Sequence, residues 1–372
     1  MGKIYTVLGL MSGTSMDGVD ASIIQTDGES KYKAILDKYF EYPSIIYQNL
    51  IKLRDKIKSS KDLKKHQKLT KIVEKEITIF HAKSVNKIQK KMKTNVDFIG
   101  FHGQTIFHNA NEKITKQIGD GKLLSKLTKK TVVYDFRQND LKSGGQGAPL
   151  VPIFHKMLAK KFKLAQKKNS PSTEATFVNI GGISNLTRIN SSYEINSLDC
   201  GPGMCLIDKW IRLNSKHRID KGGKIAMRGS VDYKIMWKYI NKIKVDSMIN
   251  SFDISDFKIN LVKKLSLEDG AATLTELTAT NILRMVEAFS NEKTNLIMCG
   301  GGRKNNFLIK RIKKDNFFNL KMIDVFGING DFVESQAFAY LAIRSFLGLP
   351  ISFPETTGCI KPCTGGVIVK SY

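Results

Sequence analysis

Residues 9–20 read Gly-Leu-Met-Ser-Gly-Thr-Ser-Met-Asp-Gly-Val-Asp and continue an apolar run that begins at Tyr5. The run predicts a buried strand that ends in a small, hydroxyl-rich turn. Glycine lets the main chain approach a ligand closely, so such a turn can direct backbone N–H groups at phosphate oxygens. The carboxylates of Asp17 and Asp20 suit a hydrated magnesium ion. The turn has no lysine, so it is not the lysine-containing P-loop, and a tight β-turn with an acidic surface is the alternative.

The length and composition of the chain bound the class of protein. At 372 residues the chain is longer than a typical single core, which predicts two domains, and its 41% hydrophobic content is normal for a folded protein. It has no uncharged apolar run of membrane-spanning length, no secretory signal pattern and only five cysteines, so we expect a cytoplasmic location with free thiols. Cys359 and Cys363 lack a second cysteine pair or a nearby histidine in the sequence, which argues against zinc there.

The net charge of +26 raises the question of a nucleic-acid partner. The excess consists mostly of lysine and peaks between residues 51 and 93, where apolar residues recur at helical spacing. Lysines between such residues predict the solvated face of amphipathic helices. Because the chain has no aromatic platform pattern and no zinc-finger spacing, the sequence predicts no specific nucleic-acid partner.

Two hairpins with glycine-containing turns predict a duplicated α/β architecture. Apolar runs over residues 5–10 and 21–26 form the first hairpin. The second is predicted over residues 177–189, with Gly181 and Gly182 at its turn. Two such halves, facing each other across a cleft, could each bind one side of a polyphosphate.

Polar side chains follow two further apolar strands. The strand predicted over residues 96–101 precedes His102 and Gln104, and the strand predicted over 131–134 precedes Arg137. Ligands bind at the carboxyl ends of strands in open α/β sheets, which favours one shared site for these residues. A core histidine bonded to the backbone is the alternative interpretation of His102.

Two acidic residues are further candidates for the site. Asp199 stands just before the Gly-Pro-Gly turn of residues 201–203, which can hold a carboxylate rigidly. An Asx-turn or a helix cap would also use an aspartate at this position. Glu334 lies on the first turn of an amphipathic helix predicted over residues 332–347. Its alternative role is a favourable charge near the helix N-terminus.

A third glycine-rich segment follows the apolar strand predicted over residues 296–299. It consists of Gly300, Gly301 and Gly302 and precedes a predicted helix. Backbone without side chains leaves room for a flat ring or a ribose to lie against it. The position between a strand and a helix makes this segment a candidate nucleoside site.

Together and in this order, the motifs resemble those of the anhydro-N-acetylmuramic acid kinase family. The most specific are Met-Ser-Gly-Thr-Ser-x-Asp-Gly-Val-Asp at residues 11–20 and Gly-Gly-Gln-Gly-Ala-Pro-Leu-Val-Pro at residues 144–152. The matching segments extend along the whole chain and comprise residues 9–20, 100–105, 118–120, 135–137, 144–155, 179–186, 199–203, 274–280, 299–305 and 334–339.

The resemblance implies the fold shared by sugar kinases, actin and Hsp70-type ATPases, with two facing, ribonuclease-H-like α/β lobes and a nucleotide and substrate cleft between them. We expect an N-terminal lobe over residues 1–133, with 339–372 packing back on it, and a C-terminal lobe over 134–338. The implied enzyme uses ATP and Mg²⁺. Water opens the anhydro bridge of 1,6-anhydro-N-acetylmuramic acid and the 6-oxygen is phosphorylated, which gives N-acetylmuramic acid 6-phosphate in peptidoglycan recycling. The partner is this small-molecule sugar, and a homodimer is left open.

The resemblance also implies roles for individual residues, with Asp199 as the catalytic base. The ATP-binding residues that it implies are Gly13, Thr14, Ser15, Asp17, Gly18, Gly181, Gly182, Gly300, Gly301, Gly302 and Asn305. The sugar-binding residues that it implies are His102, Gln104, Arg137 and Glu334. Arg137 could pair with the lactyl carboxylate of the sugar through two parallel hydrogen bonds. Asp17 and Asp20 are the expected metal ligands, directly or through water.

The chain departs from the family pattern at a few positions, which leaves alternatives open. Met204 stands where asparagine is usual, Cys200 where threonine is usual, and Asn250 and Ile254 where lysine and arginine are usual. The loss of these polar and cationic groups could weaken binding or catalysis. One alternative is a weakened or non-catalytic relative that binds nucleotide or a muropeptide sugar, and another is a kinase for a different amino sugar.

Overall fold

The structure is a computed structural model, and it describes residues 2–91, 95–165, 174–241, 252–290, 294–314 and 318–371. Its contacts divide the chain into two compact units. Unit 1 consists of Met1–Met157 and Phe332–Tyr372, and unit 2 consists of Leu158–Asp331. Each unit contains its own mixed β-sheet, which confirms the predicted α/β class.

The sequence predicts lobe boundaries at residues 134 and 339. The two units are divided elsewhere, after Met157 and before Phe332. Residues 134–157 stay with unit 1, where Arg137 donates to His102 (3.0 Å) and the ring of Phe154 lies 5.3 Å from that of Tyr32. Residues 332–338 also belong to unit 1, since the helix that contains most of them packs on its sheet.

The regular elements of both units follow one another along the chain. The strands are β1 (Tyr5–Ser12), β2 (Gly18–Thr26), β3 (Tyr32–Glu41), β4 (Phe98–Asn109), β5 (Ile114–Ile118), β6 (Thr131–Tyr134), β7 (Ala175–Ile180), β8 (Ile183–Ile189), β9 (Ile195–Pro202), β10 (Asn295–Cys299), β11 (Asn319–Met322) and β12 (Val367–Val369). The α-helices are α1 (Ser44–Lys56), α2 (Ser60–Lys65), α3 (Gln67–Gln89), α4 (Gly121–Thr128), α5 (Gln138–Lys142), α6 (Pro152–Lys161), α7 (Cys205–Asn214), α8 (Tyr233–Ile240), α9 (Leu267–Phe289), α10 (Asn306–Ile312), α11 (Val333–Phe346) and α12 (Pro354–Thr357).

The sheet of unit 1 has the strand order β12-β6-β4-β1-β2-β3, with β5 paired to β4. β1, β2 and β3 form an antiparallel meander, whereas β4 runs parallel to β1 and β6 runs parallel to β4. The sheet of unit 2 has the order β11-β10-β7-β8-β9. There too the first three strands form an antiparallel meander, β10 runs parallel to β7, and β11 runs parallel to β10. The two units therefore repeat one strand connection, as the paired glycine hairpins predict.

Helices cover one face of the unit 1 sheet through a continuous apolar core. Leu8 and Leu10 of β1 pack in the same cluster as Val73, Ile77 and Val85 of α3. The last three recur at helical spacing, so one side of α3 is apolar and its lysines lie elsewhere on the helix. This confirms the amphipathic helices that the sequence predicts between residues 45 and 92.

The other face of that sheet receives α11 at unusually short range. Strand residues alternate between faces, so Gly9, which lies between Leu8 and Leu10, points to α11. A Cβ at Gly9 would overlap the carbonyl oxygen of Ser335, and a Cβ at Gly100 of β4 would overlap that of Phe338. The backbone of α11 thus rests directly on β1 and β4, and the two glycines make this possible.

In unit 2, α9 links two apolar clusters. Its first half contributes Leu274 and Leu277 to a cluster with α7 and α8, and its second half contributes Ile282 and Val286 to a cluster with the sheet. Ser266 begins the helix by accepting a hydrogen bond from the N–H of Asp269 (3.0 Å).

Short 3₁₀ turns lie at Lys221–Gly223, Ala226–Arg228, Ile254–Asp256, Asn260–Val262, Gly301–Lys304 and Ile323–Phe326. Among the described residues, no helix has both the length and the apolar character needed to span a membrane.

One strand is longer than the sequence predicts. β4 continues through His102 and Gln104 to Asn109, so these two residues lie within a strand and not after it. The reason is a change of partner: Gln104 ends the parallel pairing with β1 and begins the antiparallel pairing with β5. Gly103 has a left-handed φ of 78° at this point. A local apolar pattern cannot reveal such a change of partner.

The contact between α11 and the sheet predicts that Gly9→Ala strongly destabilises the chain. The added methyl group has to displace the α11 backbone, and overpacking of a well-packed core costs about 1–3 kcal/mol. Urea unfolding followed by circular dichroism measures the change. Gly2→Ala is the matched control, because its nearest neighbour would be the Cβ of Asp27 at 3.8 Å. A Gly9→Ala variant as stable as the control would contradict the packing described here.

Candidate functional site

The turn between β1 and β2 contains most of the residues predicted to hold phosphate in unit 1. Its backbone closes with a hydrogen bond from the N–H of Met16 to the carbonyl oxygen of Gly13 (3.1 Å), and Met16 has a left-handed φ of 57°. Thr14 and Ser15 are exposed, and the Ser15 hydroxyl donates to Oδ1 of Asp17 (2.6 Å). The turn therefore presents its hydroxyl-bearing residues to solvent.

A buried polar network fixes the strand end from which this turn departs. Nδ1 of His81 lies 2.7 Å from the carbonyl oxygen of Ile77, which can only accept, so Nδ1 carries the proton. Nε2 then accepts from the Ser12 hydroxyl (3.2 Å), and the Tyr42 hydroxyl donates to Ser12 (2.9 Å). Burial lowers the pKa of His81 to about 4, which keeps its ring neutral. Sequence reasoning missed this network because its members are far apart in the chain.

Asp17 and Asp20 share a neighbour in Tyr39. Asp20 lies opposite Tyr39 in the pairing of β2 with β3. Burial and the charges of Asp17 and Asp20 raise the pKa of the Tyr39 hydroxyl. The charges of both carboxylates thus act on the same hydroxyl beside the start of β2, and carboxylate oxygen atoms are ligands that suit magnesium.

Two of the residues predicted to line the sugar site, His102 and Arg137, are joined by hydrogen bonds. Nδ1 of His102 donates to the carbonyl oxygen of Gly103 (2.9 Å), so Nε2 is free to accept. Arg137 donates to that nitrogen from Nη2 (3.0 Å) and Nε (3.2 Å), and it donates from Nη1 to the carbonyl oxygen of Gly147 (3.1 Å). Burial and the charge of Arg137 hold the pKa of His102 well below its usual range. His102 is thus a neutral ring of fixed tautomer, buried as the core interpretation expects and also in contact with a second candidate residue.

Gln104 connects this group to the phosphate turn. Its side-chain N–H group donates to the carbonyl oxygen of Gly13 (3.0 Å). Its Oε1 atom is buried and accepts no hydrogen bond from the part of the chain that the structure describes. Glu334 lies on the first turn of α11, as predicted, one helical turn before Phe338, whose ring is 4.5 Å from that of His102. The structure therefore brings His102, Gln104 and Arg137 together with the turn at Gly13, and it places Glu334 on the helix face that Phe338 also occupies.

Asp199 in unit 2 lies within β9, just before the Gly-Pro-Gly segment as the sequence has it. Its side chain is 7% exposed, and Oδ2 accepts a hydrogen bond from the N–H of Phe252 (2.8 Å). The pairing of β8 with β9 shifts register here, because Asn185 faces Asp199 whereas Ser184 faces Gly201. Such a β-bulge re-directs side chains and bends the strand. The carboxylate is consequently held at a local irregularity next to the Gly-Pro-Gly segment.

The turn of Gly181 and Gly182 is fastened to the start of α7. The carbonyl oxygen of Gly182 accepts from the N–H groups of Gly203 (3.0 Å) and Cys205 (3.1 Å), and that of Gly181 accepts from Met204 (2.9 Å). A side chain at residue 203 would overlap the Gly181 carbonyl oxygen, so this segment needs glycine. This hydrogen bond from the Met204 backbone N–H does not depend on which side chain residue 204 carries.

The three glycines at residues 300–302 pack against the end of β7. The N–H of Gly300 donates to the carbonyl oxygen of Gly330 (3.0 Å), and a Cβ at Gly302 would overlap the side chain of Ile180. A Cβ at Gly301 would meet nothing within 4 Å, so this position has open space beside it. Asn305 is buried and begins α10 by accepting from the N–H of Leu308 (3.0 Å).

Arg303, which sequence reasoning assigned no role, braces the glycine segment. Its guanidinium donates to both carboxylate oxygens of Asp324 (2.8 Å each), to Asp331 (2.5 Å) and to the carbonyl oxygen of Gly300 (3.0 Å). The buried cation with two carboxylates holds the loop at a fixed place. A run of glycines followed by arginine gives a weak signal for such a brace, and the two aspartates could not be paired with it from sequence.

In each unit the candidate residues gather where parallel strands end. In unit 1 these are the ends of β1 and β6 and the bend in β4, and in unit 2 they are the ends of β7 and β10. This is the edge at which ligands bind in open α/β sheets. The predicted residues are therefore placed in two groups, one in each unit.

A model of the family "Anhydro-N-acetylmuramic acid kinase" matches residues 5–371 of the chain. A curated protein of that description from Pelagibacter ubique is 51% identical over 385 aligned positions, which cover 100% of both chains. Proteins of the same description from Agrobacterium fabrum and Brucella canis are each 39% identical and are covered to the same extent.

Two solved structures are remotely similar to the chain. An activator of 2-hydroxyisocaproyl-CoA dehydratase from Clostridium difficile with bound ADPNP aligns with a TM-score of 0.40 and 12% identity, covering 91% of this chain and 94% of that one. Component A of (R)-2-hydroxyglutaryl-CoA dehydratase from Acidaminococcus fermentans aligns with a TM-score of 0.44 and 12% identity, covering 91% and 98%. These TM-scores are too low for the likeness to carry an argument about the chain.

The buried histidines predict a loss of stability in mild acid. His81 has a folded-state pKa of about 4 against an ordinary value of 6.5, so unfolding takes up a proton between these values. Its contribution to the free energy of unfolding is complete above about pH 6.5 and declines by at most ~1.4 kcal/mol per pH unit as the pH falls towards 4. Urea unfolding at a series of pH values measures this slope. We expect His81→Gln to reduce this slope by the equivalent of about one proton. His217→Gln, at an exposed histidine, should leave the slope unchanged. Equal slopes in the unchanged protein and both variants would refute the assignment.

Proposed function

Because this chain belongs to the anhydro-N-acetylmuramic acid kinase family, we propose that Asp199 is the base of its reaction. The enzyme of this family converts 1,6-anhydro-N-acetylmuramic acid, ATP and water into N-acetylmuramic acid 6-phosphate and ADP in peptidoglycan recycling. Water has to lose a proton as it attacks the anomeric carbon, and the released 6-oxygen has to attack the γ-phosphorus. A proton acceptor and a set of phosphate-binding groups are therefore required.

The single observation that carries the proposal is the fixed carboxylate of Asp199. It is buried, one of its oxygens is bonded to the Phe252 N–H at 2.8 Å, and it stands at the bulge of β9. A carboxylate of ordinary pKa is a weak base, so its value lies in its position. It takes the proton of the attacking water, and its charge favours the cationic character that develops at the anomeric carbon. The bond from this carbon to the 6-oxygen then breaks, and the 6-oxygen takes the phosphoryl group while ADP leaves.

We propose that the two glycine-containing turns bind the phosphates of ATP. Gly13, Thr14, Ser15, Asp17 and Gly18 form the first, and it offers exposed hydroxyl groups on a backbone that Ser12 anchors. Gly181 and Gly182 form the second, and their carbonyl oxygens are already bonded to the start of α7. The open space beside Gly301 supports the segment of Gly300, Gly301, Gly302 and Asn305 as the place of the adenosine.

We propose that the sugar is bound by His102, Gln104, Arg137 and Glu334. The buried Oε1 atom of Gln104 suits a hydroxyl or amide N–H of the substrate, because its N–H group is bonded to Gly13. Arg137 uses its Nε and both terminal nitrogens on His102 and Gly147, so a two-fold bond to the lactyl carboxylate requires it to exchange some of these contacts. His102 then acts by positioning Arg137 and keeping it oriented.

We also propose that Asp17 and Asp20 hold Mg²⁺, directly or through water. Both charges raise the pKa of the Tyr39 hydroxyl, which supports a common place for the two carboxylates, and oxygen ligands fit this ion. When bound, the ion neutralises charge on the phosphates. In the protein, the Ser15 hydroxyl orients the Asp17 carboxylate at 2.6 Å.

The departures from the family pattern are packed into the fold. Cys200 is fully buried in the apolar cluster of the unit 2 sheet, and the side chain of Met204 packs against both clusters of unit 2. Ile254 begins a 3₁₀ turn, and Asn250 lies outside the described residues.

An ADP-release assay with the anhydro-sugar and with other amino sugars distinguishes the active kinase from the weakened relative and from a kinase of different specificity. A homodimer, the lack of a specific nucleic-acid partner and a cytoplasmic location stay predictions from the sequence.

Asp199→Asn tests the base. We expect turnover to fall by ~10²–10⁴-fold, the usual effect of removing a general base, while ATP binding stays near that of the unchanged protein. Coupled ADP release measures turnover, and calorimetry measures ATP binding. Asp232→Asn is the matched control, since the Asp232 side chain begins α8 by accepting from the N–H of Ile235 (2.9 Å) and asparagine can do the same. An Asp199→Asn enzyme that keeps more than about a tenth of the activity would exclude this role.

Asp17→Asn and Asp20→Asn test the metal ligands. Each replacement removes a negative charge but keeps an oxygen, so we expect the Mg²⁺ concentration that gives half-maximal activity to rise by about tenfold or more. A titration of Mg²⁺ at saturating ATP and sugar measures it. Glu29→Gln, at an exposed acid after β2, is the control. If both variants respond to Mg²⁺ as this control does, other groups hold the ion.

A further inference from the structure

Three potential metal ligands meet at a place in unit 1 away from the proposed phosphate turn. Asp140 of α5, Cys359 after α12 and Cys363 each offer one ligand atom, and these atoms all lie within 4.8 Å of one another. In the part of the chain that the structure describes, this is the one such group of three histidine, cysteine or acidic residues. Asp140 and Cys359 are each 1% exposed, whereas Cys363 is partly exposed and offers a path of entry.

We propose that Asp140, Cys359 and Cys363 bind one Zn²⁺ ion, with water as the fourth ligand. Thiolate sulfur and carboxylate oxygen are typical zinc ligands at ~2.0–2.3 Å from the metal. Neighbouring ligand atoms of a tetrahedral site are then ~3.3–3.8 Å apart, so the observed group needs to close by only about 1 Å. The lack of a second cysteine pair or a nearby histidine in the sequence argues against zinc, but the fold supplies a third ligand, Asp140, from a distant part of the chain.

The carboxylate of Asp140 is already oriented by partners of the kind that surround metal ligands. Oδ1 accepts from the Thr357 hydroxyl (2.6 Å), and Oδ2 accepts from the N–H of Gly147 (2.6 Å). A side chain at Gly145 would overlap this carboxylate, so the glycine-rich loop can wrap closely around it. Each oxygen keeps a second lone pair for a metal. Such partners fix the direction of a ligand and raise the affinity of a site.

The backbone also holds the two cysteines in place. Cys363 exchanges backbone hydrogen bonds with Ser352, with N–O distances of 3.1 Å in both directions. The N–H of Ile360, next to Cys359, donates to the carbonyl oxygen of Ser143 (3.0 Å), just beyond the end of α5. The segment with both thiols is therefore tied to the segment with Asp140. A site that is formed in advance loses little conformational entropy when the ion binds.

A short chain of hydrogen bonds connects this cluster to the residues proposed for the sugar. Asp140 accepts from the Gly147 N–H, the Gly147 carbonyl oxygen accepts from Arg137, and Arg137 donates to His102. An ion bound to Asp140 would restrain the loop that orients Arg137. The binding itself does not depend on the kinase reaction, so it can be tested without activity.

The test measures zinc binding to the full chain. Protein reduced with a phosphine and freed of metal is titrated with Zn²⁺ in competition with a chromogenic chelator, and Co²⁺ is added in parallel to detect the absorption of cobalt–thiolate bonds. Cys359→Ser and Cys363→Ser each remove one ligand. If the buried Cys359→Ser variant fails to fold, the partly exposed Cys363→Ser variant still decides the question. Cys205→Ser, at a buried thiol of unit 2, is the matched control.

We expect the unchanged protein and Cys205→Ser to bind one Zn²⁺ per chain and to show the cobalt–thiolate absorption. Cys363→Ser should bind at least ~100-fold more weakly, because removing a ligand should cost no less than removing an outer partner. The proposal is overturned if the unchanged protein binds no zinc, or if Cys363→Ser binds as tightly as the control.

Discussion

The backbone of α11 lies directly on β1 and β4, and much of unit 1 depends on this contact. Only glycine fits at residues 9 and 100, because any Cβ would overlap a carbonyl oxygen of the helix. At this distance the hydroxyl of Ser335 reaches Ser22 on β2 (2.6 Å) and the side chain of Gln336 reaches Asp37 on β3 (3.0 Å). One helix therefore joins a stretch of strands that ends in the phosphate turn and in the bend of β4.

Polar groups buried under α11 are satisfied by one another. The Asp37 carboxylate accepts from Ser22 (2.6 Å) and from Gln336, and Gln336 in turn accepts from the Tyr32 hydroxyl (2.6 Å). Burial raises the pKa of Asp37, which the bonds from Ser22 and Gln336 partly offset. Breaking one member of such a network leaves a buried partner such as Ser22 or Gln336 unpaired, which costs about 1–3 kcal/mol. The same reasoning applies to Ser12, Tyr42 and His81 under the phosphate turn, so stability and the shape of the site rest on the same side chains.

The sequence could predict the elements of this fold better than their partners. Apolar runs and glycine turns are local, so both hairpins, the lysine-bearing helices and the strand before Gly300 are visible in it. The bend of β4 at Gln104 and the bulge at Asp199 arise from pairing with distant strands, and no local pattern encodes them. The site residues were predicted largely through resemblance to a family. Contacts such as Ser12 with His81, or Arg303 with Asp324 and Asp331, join segments whose proximity only the fold determines.

Unit 1 is made of two pieces of chain, and unit 2 is inserted between them. During synthesis, the strands that end at Tyr134 emerge from the ribosome long before the helix that begins at Val333. Until then, the glycine-bearing face of β1 and β4 has no cover, whereas unit 2 is continuous and can fold as soon as it is complete. Unit 2 can therefore fold before unit 1 during translation. The N-terminal strands of unit 1 complete their packing only after the C-terminal piece of that unit has been synthesised.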